Sequence, residues 1–167
     1  MPMIECTSLD GTTKNVRIKD LNLRPAAYAI IMRDANILLM RLRHTGLYHL
    51  PGSGVHKGEC IKDTLKREVK EETGLEIEVG RFADFEELFF YFEPSAKAFH
   101  GLHFFRLDFH GRTPDSWTIF TDNHTFTLFW APLADAPRII SPYQREWLEF
   151  LSKSQTITGY PYREGSQ

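Results

Sequence analysis

Short apolar runs separated by polar turns occupy most of the chain, and they predict a sheet built around two helices. Residues 26–32 and 37–42 are apolar runs on either side of a polar turn, as expected of central strands, although runs this short also fit a buried helix. Alternating runs around Asp10-Gly11 predict an N-terminal hairpin. The predicted strands cover residues 3–8, 12–18, 26–32, 37–42, 76–79, 87–92, 99–109 and 126–130.

Helical spacing replaces strand alternation in residues 60–73. At about 100° per residue, with position 68 as zero, Ile61, Leu65 and Val69 fall near 20°, 60° and 100° and form one apolar stripe. Gly74 follows directly and is well placed as the left-handed residue that ends a helix. The pattern therefore predicts a helix with one face packed on a core.

A second helix is predicted near the end of the chain. Ser141 and Pro142 form a suitable N-cap and first-turn pair for it. We expect residues 159–167 to form a loose tail. The predicted buried face of this helix consists of Tyr143, Trp147, Phe150 and Leu151.

Three carboxylates share the flank of the first helix beside its apolar stripe. On the same scale Glu71 falls near −60° and Glu72 near +40°, so both lie within about 60° of Glu68. Carboxylates this close repel one another, and a divalent cation with oxygen ligands would compensate them in a way that suits phosphate chemistry. Arg67 precedes Glu71 by four positions, so we expect a charge-assisted hydrogen bond between them. The alternative is an ordinary solvated helix face.

These carboxylates belong to a longer pattern, a glycine followed by x5-E-x7-R-E-U-x-E-E-x-G-U, where U is aliphatic. The matching residues are Glu59, Arg67, Glu68, Val69, Glu71, Glu72, Gly74 and Leu75. In this pattern the chain resembles the Nudix hydrolases. Ser53 replaces the opening glycine, and a serine there is strained if its φ must be positive. Cys60 stands at the helix N-cap, where cysteine caps poorly.

The resemblance covers most of residues 24–135 and implies an α/β fold, a Nudix-type α/β/α sandwich with a mixed central sheet. It also implies a hydrolase that depends on Mg²⁺ or Mn²⁺. Such an enzyme cleaves a phosphoanhydride bond in a nucleoside diphosphate linked to another moiety, which can be a nucleotide, a sugar or a second nucleoside. The substrate would be a nucleotide-type small molecule.

The same resemblance assigns roles to residues of the motif. It implies that Glu68, Arg67 and Glu59 are catalytic. The general base stays open between Glu68 and an acid on a later loop, where Asp122, Asn123 and His124 stand. The implied metal ligands are the Gly52 carbonyl and the carboxylates of Glu59, Glu68, Glu71 and Glu72.

Two other functions remain open from the sequence. A nucleotide-binding sensor or regulator on the same fold, with weak or lost turnover, would account for Ser53 and for the unmatched late acid. An isoprenyl diphosphate isomerase of the same fold would need a cysteine and a glutamate in its cleft. Cys60, beside Glu59, is not where such a cysteine is expected.

Candidate substrate-binding residues are Arg41, Arg43 and Tyr91. The two arginines share one face of a predicted strand close to the motif and could anchor a distal phosphate, although exposed strand arginines are equally common. In the family, a tyrosine near position 91 is associated with dinucleoside polyphosphates. One tyrosine in so aromatic a segment is weak support for that substrate.

The histidines give weaker signals. His44, His49 and His56 lie near the motif in a predicted turn region, where solvent-facing side chains are expected more than a transition-metal site. His100 and His103 fall on opposite faces of a predicted strand, so one of them could face the cleft.

Composition fits one compact domain over residues 1–167, with residues 1–20 as a hairpin extension. The 42% hydrophobic content suffices for a core, and a net charge of −2 argues against nucleic-acid binding. Two cysteines, without zinc spacing, favour a reduced cytoplasmic location. No signal peptide or membrane segment is expected. A homodimer is left open, and the hairpin either faces a partner or covers a sheet edge.

Overall fold

Strand β3 lies at the centre of a nine-stranded sheet in the computed structural model, which describes residues 1–43, 45–108 and 126–153. The strands are β1 (Met3–Ser8), β2 (Thr13–Arg17), β3 (Leu21–Arg33), β4 (Asn36–Leu42), β5 (Tyr48–His49), β6 (Gly52–Gly54), β7 (Phe82–Phe92), β8 (Lys97–Asp108) and β9 (Phe126–Pro132). The helices are α1 (Ile61–Thr73), α2 (Ala136–Ile139) and α3 (Pro142–Lys153).

The sheet is mixed, as expected. Its strand order is β2-β1-β7-β8-β3-β4-β5, with β6 paired to β3 and β9 paired to β4. The pairs β1–β7 and β3–β8 are parallel, whereas the other strand pairs are antiparallel. Short β6 therefore lies directly beside the central strand, where it brings the glycine-rich segment against β3.

Alternation along β3 supplies two hydrophobic cores, one on each face of the sheet. Ala27, Ala29 and Ile31 pack with Leu65 and Val69 of α1. The intervening residues of β3 pack on the opposite face, in a core to which α2 and α3 contribute. Side chains of successive strand residues point to opposite faces, so one apolar run fills both cores. The predicted α/β/α sandwich is confirmed.

One predicted strand is wrong. Residues 76–79 belong to none of the strands, although Leu75 and Ile77 are buried in the core beneath α1. Apart from an isolated bridge at Glu78, the segment makes no continuous ladder with the described strands, and its apolar side chains anchor a loop on the helix side. The other predicted strands are present, and several extend beyond their expected ends.

The N-terminal hairpin covers part of a sheet edge. Strand β1 pairs with β2 and, through Thr7 and Ser8, with the outer side of β7. Leu9 then packs on Phe90 and Tyr143. This placement matches the expectation that the hairpin covers an edge.

The last helix begins at Pro142, as predicted, and Tyr143 is buried. The side chains of Trp147, Phe150 and Leu151 lie outside the described residues, as does the tail over residues 159–167. Among the residues that the structure describes, no helix is both long and apolar enough to span a membrane.

Candidate active site

Helix α1 presents the motif carboxylates because both its ends and its buried stripe are fixed locally. Leu65 and Val69 are fully buried against the sheet, which sets the rotation of the helix about its axis. Gly74 adopts a left-handed φ of 74° and donates its N–H to the Lys70 carbonyl, so it ends the helix as predicted. At the other end Cys60 gives no side-chain cap, also as predicted.

Arg67 connects three carboxylates of the motif. Its Nε and Nη2 donate to the two oxygens of Glu59 at 2.6 and 2.9 Å, and its Nη1 donates to Glu68 at 2.6 Å. The predicted bond to Glu71 is present but long, at 3.5 Å, and the Glu71 side chain is 62% exposed. Glu59, eight residues away, is therefore the principal partner, which spacing along the helix did not indicate.

Glu59 is held as a charged group by this network. Hydrogen bonds from Arg67, followed by those from the His56 N–H and the Thr64 hydroxyl, lower the pKa of Glu59 to about 2. Reciprocally, the hydrogen bond to Glu59 raises the pKa of Arg67. Glu68, which shares the guanidinium, is only 8% exposed.

Glu72 is fixed to the glycine-rich strand instead of to Arg67. The Gly52 N–H donates to its Oε2 at 2.8 Å, linking α1 to β6. Burial raises the pKa of Glu72 to about 8, and the negative charges of Glu68 and Glu71 add to the rise. The carboxylates thus lie close enough to repel one another, as the sequence indicated.

Gly52 is required by the close approach of β6 to β3. Its φ is +131°, and a Cβ there would lie 2.1 Å from the Ala27 carbonyl oxygen. Ser53, by contrast, pairs with Ala27 in the β6–β3 ladder without a positive φ. The strain considered for a serine at this position is therefore absent.

The donor set suits a hard divalent cation, although its members are not gathered around one point. Within the described ranges, no three His, Cys, Asp or Glu side chains could hold a metal ion as they stand. Glu68 is turned toward Arg67 and Glu72 toward the Gly52 N–H. Oxygen ligands, mutual repulsion and a partly buried position nevertheless fit Mg²⁺ or Mn²⁺.

The three candidate substrate-binding residues lie in different places. Arg41 is exposed on β4, with its guanidinium carbon 5.8 Å from the ring centroid of Tyr48, and Arg43 is exposed just beyond that strand. Tyr91 lies under the Lys14 ammonium, 3.8 Å from its ring centroid. Through β8, Tyr91 aligns with Leu21 of β3, about 23 Å along the strand direction from Tyr28, the partner of Gly52. The structure does not bring Tyr91 to the carboxylates.

The histidines separate as the strand pattern predicted. His100 is partly exposed beside Glu87, whereas His103 is 1% exposed on the opposite face. His56 is exposed, and His49 lies in β5. His44, like the late-loop residues Asp122, Asn123 and His124, lies outside the described residues.

Sequence reasoning missed Arg24. Its Nη2 lies 3.4 Å from the Ser53 hydroxyl, so a residue at the start of β3 contacts the glycine-rich strand. The available signal was an arginine immediately before Pro25 and a long apolar run. That signal is weak because many strands begin with a charged residue.

Comparison with known proteins decides the family. A family model of the NUDIX domain matches residues 22–151, which include β3, β6 and α1 and leave only the hairpin and the C-terminal end outside. The chain belongs to the Nudix hydrolase family. The match extends beyond the 24–135 expected from the motif and reaches well into α3.

Solved Nudix structures share the fold. The solution structure of the E. coli ORF135 protein covers 82% of this chain and 94% of its own length, with 26% identity and a TM-score of 0.58. The crystal structure of a MutT NUDIX hydrolase from Burkholderia pseudomallei covers 77% of this chain and 97% of its own length, with 23% identity and a TM-score of 0.61.

A curated relative matches over a shorter segment. An ADP-ribose pyrophosphatase from Methanocaldococcus jannaschii is 42% identical over 60 residues, which is 33% of this chain and 36% of the relative. The chain thus spans about a third of the length of this relative.

Proposed function

We propose that this Nudix chain is a Mg²⁺- or Mn²⁺-dependent hydrolase that cleaves a phosphoanhydride bond in a nucleoside diphosphate linked to another moiety. The observation that carries the proposal is the carboxylate arrangement of α1. Burial, together with the negative charges of Glu68 and Glu71, raises the pKa of Glu72, which is fixed to the Gly52 N–H. A divalent cation would relieve this repulsion. The named activity of the ADP-ribose pyrophosphatase relative supports the substrate class.

The residues that would hold the cation are Glu68, Glu71 and Glu72, with Glu59 and the Gly52 carbonyl as further ligands. When bound, such an ion neutralises charge on phosphate oxygens and lowers the pKa of a bound water. Arg67 orients Glu59 and Glu68 through its three short hydrogen bonds. We retain Glu68 as the candidate general base because it is the motif carboxylate that is both buried and held by Arg67.

Arg41 and Arg43 remain candidate contacts for the distal phosphate because both are exposed near the end of β4. Tyr91 has less support, since it lies near the opposite end of the sheet from Gly52. The single domain, the cytoplasmic location, a possible second copy of the chain and the absence of nucleic-acid or membrane partners stay predictions.

A hydrolysis screen tests the proposal. The purified chain is incubated with ADP-ribose, nucleotide sugars, dinucleoside polyphosphates and nucleoside triphosphates, with Mg²⁺, with Mn²⁺ or with EDTA. We expect metal-dependent release of a nucleoside monophosphate from at least one compound, measured by chromatography. Glu72→Gln should lower kcat at least about 100-fold, a loss comparable to removing one charge-stabilising group from an active site.

The matched control is Glu76→Gln, because the Glu76 side chain is 81% exposed, lies outside the motif and, among the described residues, forms its ion pair with Lys70. It should retain wild-type kcat. Tight nucleotide binding without metal-dependent cleavage across the whole panel would contradict the proposal and favour the sensor. The absence of positive φ at Ser53 already removes one argument for that alternative.

A further inference from the structure

Arg24 is a half-buried cation without an acidic partner among the described residues. No carboxylate of the described ranges forms an ion pair with it. Its polar contacts are with two hydroxyl groups, that of Ser53, 3.4 Å from Nη2, and that of Tyr28, and the Phe90 ring centroid lies 5.9 Å from Cζ. Removing a guanidinium from water is unfavourable unless an anion or several acceptors receive its donors. Two hydroxyl contacts leave other N–H donors of the guanidinium available for an anion.

His103 of β8 pairs with Ala26, two residues beyond Arg24 on β3, and its ring lacks hydrogen-bond partners among the described residues. It is 1% exposed, and within the described residues neither ring nitrogen has a hydrogen-bond partner. Its ring meets Tyr28 edge-on at 4.9 Å, and Gly101 makes room for it, since a Cβ there would lie 3.1 Å from Nε2. Burial, with the Arg24 charge adding to it, lowers the pKa of His103 to about 3. The ring is therefore neutral at physiological pH.

The glycine-rich strand brings Arg24 near the motif. A Cβ on Gly54 would lie 3.4 Å from the Arg24 Nε and Nη2, so glycine lets the guanidinium lie close to β6. At the other end of this three-residue strand, Gly52 binds Glu72. The two ends are about 7 Å apart at the usual rise of a strand. A cation and the carboxylate cluster thus lie at opposite ends of one short strand.

We propose that Arg24 and the Ser53 hydroxyl form a phosphate-binding contact for the substrate diphosphate, at the end of β6 away from Glu72. This inference rests on the proposed function in taking a nucleoside diphosphate as ligand. Arginine presents a planar fork of donors that matches phosphate oxygens. The Ser53 hydroxyl, at the position where the family motif has glycine, therefore belongs to the proposed phosphate contact.

Binding without metal tests the contact separately from catalysis. Titration calorimetry with inorganic pyrophosphate and with ADP, in EDTA, compares the full-length wild type with Arg24→Gln, Arg24→Lys and Ser53→Ala. We expect Kd to rise about tenfold or more for Arg24→Gln, less for Arg24→Lys and two- to threefold for Ser53→Ala.

Arg33→Gln is the matched control. Arg33 is the last residue of the same strand, and its Cζ lies 4.8 Å from the Trp130 ring centroid. Arg33→Gln therefore measures how much Kd changes when one positive charge is removed away from the proposed contact. Its Kd should equal that of the wild type. Thermal denaturation of each variant separates binding from folding. If Arg24→Gln does not fold, the inference requires Arg24→Lys to weaken binding at least threefold.

The outcomes distinguish this contact from the proposed function. Arg24-dependent binding in a chain that never hydrolyses any compound supports the contact and contradicts the hydrolase proposal. Metal-dependent hydrolysis with an unchanged Kd in Arg24→Gln overturns the contact alone, as does a lower Tm with unchanged binding. A wild type that binds neither probe without metal also overturns it.

Discussion

Arg67 contacts Glu59, Glu68 and Glu71 through one planar guanidinium, with 24% of its side chain exposed. The fork geometry matters here because two nitrogens receive both oxygens of Glu59 while a third binds Glu68. A lysine ammonium carries the same charge but has no such fork. The orientation of two motif carboxylates therefore depends on the shape of this side chain as well as on its charge.

Arg67→Lys should lower kcat about 10- to 100-fold with a smaller change in KM. The lysine cannot hold Glu59 and Glu68 at once, and small misplacements of catalytic groups can cost about two orders of magnitude. Steady-state kinetics on the substrate found by the screen measures this. Lys70→Arg is the control, since Lys70 pairs with Glu76 on the solvent face of the same helix. A kcat for Arg67→Lys within twofold of wild type would contradict this role.

A second residue-scale feature is a groove of about 670 Å³ between β1, β7 and α3. Glu86 has a buried oxygen there that has no hydrogen-bond partner among the described residues. Burial, with the charges of Glu146 and Asp84, raises the pKa of Glu86 from 4.5 to about 7. Between these pH values the folded chain binds more protons than the unfolded chain. The free energy of unfolding therefore falls as pH rises through this range.

Glu86→Gln should raise Tm at pH 8 by about 2–5 °C and bring little gain at pH 5. The amide removes a charge that is unfavourable only where the wild-type carboxyl is ionised. Thermal denaturation at both pH values measures the effect. Glu149→Gln, on the exposed side of α3, is the control and should leave Tm unchanged at either pH. An equal gain at pH 5 and pH 8 would show that the charge of Glu86 is not the cause.

At the scale of elements, strand β6 connects the sheet to the carboxylates of the candidate active site. Its three residues pair with Ala26, Ala27 and Tyr28 of β3. Gly52 also holds Glu72 of α1. The helix and the sheet are thus connected at the motif itself, so a change in the position of β6 moves a carboxylate.

Gly52→Ala should unfold the chain or lower its unfolding free energy by at least about 1–3 kcal/mol. The new Cβ would meet the Ala27 carbonyl oxygen at 2.1 Å in a backbone conformation that L-residues rarely adopt. Urea denaturation followed by circular dichroism provides the measurement. Ser53→Ala, one residue on, should keep wild-type stability because its backbone carries no positive φ. Equal unfolding free energies for Gly52→Ala and wild type would contradict the close approach of β6 to β3 at Gly52.

Local sequence predicted helix α1 correctly, whereas it predicted a strand that the structure lacks. Helix α1 was expected over 60–73 and spans Ile61–Thr73, since its apolar stripe and its glycine stop act within a few residues. Residues 76–79 showed strand-like alternation as well, yet they form no strand. Alternation indicates which side chains are buried, and it does not indicate whether a segment pairs with a neighbouring strand along its whole length.

At the scale of the whole molecule, the hairpin of β1 and β2 lies outside the matched NUDIX residues but inside the fold. Cys6 is fully buried, and Leu9 packs on Phe90 and Tyr143. The Tyr143 hydroxyl in turn donates to the Tyr91 carbonyl at 2.9 Å. The hairpin thus joins β7 and α3 into one packed unit.

Deletion of residues 1–17 should lower the unfolding free energy by at least about 2 kcal/mol, because it removes the burial of two apolar side chains and exposes a strand edge. Urea denaturation measures the loss. Leu9→Ala should reproduce part of it, whereas Leu23→Ala, at a side chain 66% exposed, should not. An unchanged unfolding midpoint after deletion would mean that the hairpin does not contribute to this domain.

The sequence by itself determined the helix, its glycine stop, the shared flank of its carboxylates and, through the motif, the family. These depend on spacing within one element, which helical geometry converts directly into direction in space. Only the tertiary structure decided that Arg67 binds Glu59, that Glu72 binds Gly52 and that Arg24 contacts Ser53. Such contacts depend on strand register and on loops that return the chain to itself. The spacing of residues along the sequence gives neither the register of the strands nor the path of the loops.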